Sequence, residues 1–130
     1  MNYKTWFRFL IIFPMVLVIA AVALDFSYPF PESVSEYYAL LAVSGFSRIY
    51  YAYLLAALAG FIADMCLFFF VKNSREIWLI LISVFYVLGA LMPELTIMTP
   101  VSIVMVQIAS LLGGIKIAVA YYSPHIRDLF

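Results

Sequence analysis

Residues 9–24 form a run of sixteen without a charge, and three more long apolar stretches follow. A helix needs about 20 residues to cross the hydrocarbon core of a bilayer. Each stretch is too long and too continuously apolar for a half-buried strand. The expected fold is therefore an all-α integral membrane protein, four transmembrane helices in an up-down bundle, forming one membrane domain over 1–130. The spans are placed at about 6–24, 49–71, 77–92 and 100–122. Pro14 removes a backbone donor inside the first span and is a candidate kink. Pro100 suits a first helical turn, and Ser123-Pro124 is expected to end the fourth span.

Composition excludes several alternatives. Hydrophobic residues make up 68% of the chain and charged residues 11%, against about 25% charged in a soluble domain. A net charge of zero gives a nucleic-acid partner no electrostatic support. Cys66 has no second cysteine with which to form an internal disulfide. Lys4 and Arg8 before an apolar run, with Ala21-Val22-Ala23 after it, have the outline of a signal peptide. The expectation is nevertheless a retained first span.

The basic residues sort by side. Lys4 and Arg8 precede span one, Lys72 and Arg75 lie between spans two and three, and Arg127 follows span four. The other side carries Arg48 with Asp25, Glu32, Glu36 and Glu94. The positive-inside rule then places both termini in the cytoplasm, in a multi-pass protein of the plasma or inner membrane. Short links make spans two and three, and spans three and four, expected antiparallel neighbours. In the longer first link, Pro29 and Pro31 bar a helix. Ser33-Val34-Ser35-Glu36 fits a capping box opening a short interfacial helix over about 34–46. Phe26, Tyr28, Phe30, Phe46, Tyr50 and Tyr51 gather here, as an aromatic belt at the membrane surface or, alternatively, a ligand cage. Asp25, Arg48 and Glu94 form an outer rim, with Arg48 expected to pair with one of the two acids.

Two ionisable residues fall within spans. Asp64 lies sixteen residues after Arg48 and eight before Lys72; Lys116 lies sixteen after Pro100 and eight before Pro124. At about 1.5 Å per residue they share one depth, and a charge there requires a partner or a wet cavity. Helical phase puts Tyr50, Tyr53, Ala57 and Gly60 on the Asp64 face, and Ser102, Ala109, Gly113 and Ala120 on the Lys116 face. Small residues permit close helix approach, so spans two and four are expected to touch. Ser110, Gly114 and Ala118 make a second small stripe beside Gln107, suited to a second neighbour: span one, span three or another protein.

No catalytic set is recognisable. His125 is the single histidine and falls in the tail, where it is expected to be solvated. Ser83, Ser102 and Ser110 therefore have no base at membrane depth. His-Cys metal spacings are absent, Met92 and Met98 are a weak Cu(I) pattern, and Gly113-Gly114 lacks the context of a nucleotide loop. The expected function is a small non-catalytic membrane subunit or accessory protein, without autonomous enzyme activity. Its partners are membrane lipid and another membrane protein subunit or a second copy. One alternative is a proton, cation or solute carrier that uses Asp64, with Lys116 as counter-charge and Tyr53, Tyr86 and Gln107 as polar lining. A second is a subunit that binds lipid or quinone; no other cofactor and no metal is expected.

Overall fold

The computed structural model describes residues 2–93 and 96–130, and among them every regular element is helical. Four helices are long and apolar enough to cross a membrane: α1 (Tyr3–Ser27), α3 (Arg48–Phe68), α4 (Ser74–Leu91) and α5 (Pro100–Tyr122). A short α2 (Glu32–Ser44) lies between the first two, and a single turn, α6 (Pro124–Arg127), ends the chain. Phe9, Val16, Ile19, Leu55, Leu58, Ile62, Ile80 and Leu111 are each more than half exposed. That much bare apolar surface on every long helix is a liability in water and the required finish in lipid.

Local chemistry sets the helix ends. Asn2 starts α1, its side chain accepting the Lys4 N–H; Ser47 and Thr99 do the same for α3 and α5. Such caps satisfy donors that the first turn leaves orphaned. α1 runs through Pro14 and past the expected end to Ser27, so Asp25 is helical. α3 stops at Phe68, three residues short of the expected end. The chain there reverses through Phe70 and Asn73, with φ of 55° and 64°. Asn adopts that left-handed region readily, whereas Phe does so at a cost. The Phe70 ring is anchored against Phe7 and Phe130, at 5.9 and 5.4 Å between centroids.

The capping box is a correction. α2 starts at Glu32 with Pro31 as its N-cap, and no side chain caps it. Ser35 instead sits inside the first turns and donates back to the Glu32 carbonyl at 3.0 Å. Proline's fixed φ suits a helix start, so the boundary moves two residues toward it. Gly45 ends α2 with φ of 81°, a conformation that a side chain would strain.

Two helix pairs carry the packing: α1 against α5, and α3 against α4. In the first, Asp25 meets Ser102 while Phe7 meets Phe130, so the chains run in opposite directions. In the second, Tyr53 meets Phe85, and Asp64 meets Trp78, with the same sense. The expected close packing of α4 on α5 does not occur; side chains bridge them instead. The pairs join at the end that holds both termini. Phe7 and Ile11, Ala63 and Leu67, Trp78, Ala120 and Ile126 form a buried core there. α2 buries none of its residues.

Candidate functional site

Asp64 is positioned by α3 and Lys116 by α5, and the Lys116 ammonium donates to Asp64 Oδ1. Trp78, from the second turn of α4, completes the cluster. Its indole Nε1 donates to the same oxygen at 2.8 Å, and its ring lies 4.4 Å from the Lys116 Nζ. The Lys116 side chain is 2% exposed and that of Asp64 16%. Each charge is thus neutralised by its opposite, and the indole contributes both a hydrogen bond and a cation–π face. Three helices are tied at one point.

The expected contact between α3 and α5 needs correction. Ser102, Ala109, Lys116 and Ala120 are the buried residues of α5, but the helix packed along α5 is α1, not α3. Ala57 and Gly60 are only half-buried; on α3 the buried residues are Ala56, Ala63 and Leu67. A Cβ added at Gly60, Gly113 or Gly114 would meet nothing within 4 Å. A lysine has a long flexible stem, so its ammonium reaches Asp64 without close approach of the two backbones.

Two arginines secure the same end. Arg8 donates from Nε to the Phe68 carbonyl at 3.3 Å, with its guanidinium over the Phe68 and Phe70 rings. Arg75 donates from Nη1 to the Ala120 carbonyl at 3.2 Å and lies 4.9 Å from the Tyr121 ring centroid. In a continuing helix the Ala120 carbonyl would receive the N–H of residue 124, but that residue is Pro124 and has none. Arg75 therefore satisfies an acceptor that the sequence leaves orphaned. Both contacts bring a cation to the C-terminal end of a helix, where the backbone dipole favours it.

At the opposite end the sign reverses. Asp25 Oδ1 accepts from Ser102 Oγ at 2.7 Å and from the Thr99 backbone N–H at 3.0 Å. Ser102 Oγ also lies 3.0 Å from the Ala21 carbonyl and 2.8 Å from Thr99 Oγ1. Asp25 is thus a fastener between α1 and the N-terminus of α5 rather than a free rim acid. Arg48 makes no ion pair among the described residues, and Glu94 lies outside them.

The remaining candidates disperse. Tyr53 stacks on Phe85 at 4.5 Å, and the Tyr86 hydroxyl bonds Ser110 Oγ at 2.8 Å. Gln107 is exposed. None of the three bonds Asp64. Ser110, Gly114 and Ala118 are exposed, and Ser110 reaches α4 through the Tyr86 hydroxyl. His125, exposed in the tail, stacks on Tyr3 at 4.5 Å. Sequence reasoning missed Trp78, Arg8 and Arg75 as polar participants. For Arg75 a signal existed in the orphan carbonyl that Pro124 creates.

Fold and site together define a multi-pass helical membrane protein whose helices are tied by intramembrane polar contacts. No protein family, curated protein or solved structure matches the chain. Among the described residues, no group of three or more histidine, cysteine, aspartate or glutamate side chains is placed to hold a metal ion.

Proposed function

We propose that this chain is a small non-catalytic subunit of the cell membrane, an up-down bundle with both termini cytoplasmic. It packs through the free face of α5 against another membrane protein or a second copy of itself. The observation that carries this reading is Gln107. Its amide stands about 10 Å below the start of α5, exposed and without a hydrogen-bond partner among the described residues. An amide left bare in hydrocarbon costs several kcal/mol, whereas a neighbouring helix can supply its partner. Leu111, Gly114 and Ala118 continue the same exposed face at helical spacing.

The carrier reading draws less support. Asp64 and Lys116 are committed to each other and to Trp78, and neither lines the cavity beneath α2 or the one beside Tyr3 and Trp6.

Gly114→Leu is the discriminating variant, because the chain itself leaves that position open. Wild-type protein is expected to run as a complex in mild detergent, on native mass measurement and in crosslinks from intact membranes. Gly114→Leu and Gln107→Leu should each release the monomer with an unchanged melting temperature for the chain alone. A wild-type monomer with no crosslinked partner would overturn the proposal.

A further inference from the structure

Beneath α2 lies a cavity of about 630 Å³, within the roughly 300–1,000 Å³ range of small-molecule sites. We infer that this cavity binds the ammonium head of an amphiphile, independently of the α5 interface. Val22 and Asp25 line it from the last turns of α1, Tyr28 and Phe30 from the link, Tyr38 from α2 and Met98 from the facing link. Tyr28 and Phe30 meet edge to face at 5.2 Å. Tyr38 is fixed by its hydroxyl, which accepts the Ile97 backbone N–H at 3.3 Å.

The chemistry of the lining selects the occupant. Aromatic faces attract ammonium groups through the ring quadrupole, most strongly when the site is desolvated. Asp25 supplies the counter-charge. Its Oδ1 is taken by Ser102 and Thr99, and the carboxylate is the one charged side chain among the described lining residues. Among the described lining residues there is no lysine or arginine, so the fixed charge that an anionic head would meet is the carboxylate of Asp25. Val22, Val34 and Met98 give an alkyl body an apolar wall. Asp25 lies two residues before the end of a span, so the cavity opens where a bilayer turns from tails to heads. α2 buries no residue of its own, and an occupant would supply the packing that this helix lacks.

The test uses full-length protein in uncharged glycolipid vesicles with three photoreactive octadecyl probes of equal chain length: trimethylammonium, alcohol and carboxylate. The trimethylammonium probe should label residues 22–38 at least tenfold more than the carboxylate. Asp25→Asn keeps the Oδ1 acceptor for Ser102 and Thr99 while removing the charge, and should lower labelling about tenfold. Phe30→Leu keeps apolar bulk but loses the π face, and should lower it several-fold. Phosphatidylcholine as competitor separates the sources: displacement assigns a zwitterionic lipid, and persistence a single-chain cation. Equal labelling by ammonium and carboxylate probes, or labelling unchanged in Phe30→Leu, would overturn the inference.

Discussion

At the scale of single residues, the central object is a buried ion pair whose members are worth little apart. Desolvating two charges offsets most of their attraction, so the pair contributes modest net stability. Removing one partner is different, because the other is left charged and buried. Asp64→Leu or Lys116→Met alone should each destabilise the chain by about 3–5 kcal/mol, and the double variant should recover most of that loss. Thermal unfolding of the four proteins in one detergent measures the coupling. Additive losses would show that Asp64 and Lys116 act separately. The depth of this pair could be read by counting residues from each span end. Trp78 could not, because an indole in an apolar run looks like ordinary hydrophobic filling until its ring N–H acquires an acceptor.

At the scale of helices, apolar run length locates the four long elements, and α5 starts and stops at the expected residues. Pro100 and Pro124 mark both of its ends, which is why that boundary was legible. The end of α3 was not, since residues 69–71 are as apolar as the helix and only the reversal at Phe70 stops it. Neighbour choice was harder still. Small residues on α5 identify a close-packed face, but sequence does not say which helix occupies it, and α1 does. The glycines sort the same question experimentally. A Cβ at Gly89 would sit 3.3 Å from Tyr53 Cε2, whereas at Gly60 it would meet nothing. Gly60→Ala should therefore be neutral or stabilising by up to about 1 kcal/mol through helix propensity. Gly89→Val should cost about 1–3 kcal/mol by overpacking the α3–α4 seam. Equal effects on melting temperature would mean that this seam is not set by Gly89.

For the whole molecule, the distribution of charge bears on orientation. Lys4, Arg8, Lys72, Arg75 and Arg127 belong to the end with the termini, and Arg48 is the one arginine or lysine in the links at the other. The structure gives two of these cations a further reason to be there. Arg8 and Arg75 each hold a carbonyl at the C-terminal end of a helix, while Asp25 meets the N-terminus of α5. Helix dipoles thus account for where these charges sit, and the positive-inside rule turns their distribution into an orientation. The termini end should accordingly face the cytoplasm. Single cysteines introduced into a Cys66→Ser background test this in intact cells with a membrane-impermeant maleimide. Ser33→Cys should react at once, whereas Asn2→Cys and Asp128→Cys should react only after permeabilisation. The reverse pattern would invert the orientation. Reaction at all three sites would mean that the chain inserts both ways, and that five cations against one are too weak a bias to fix it.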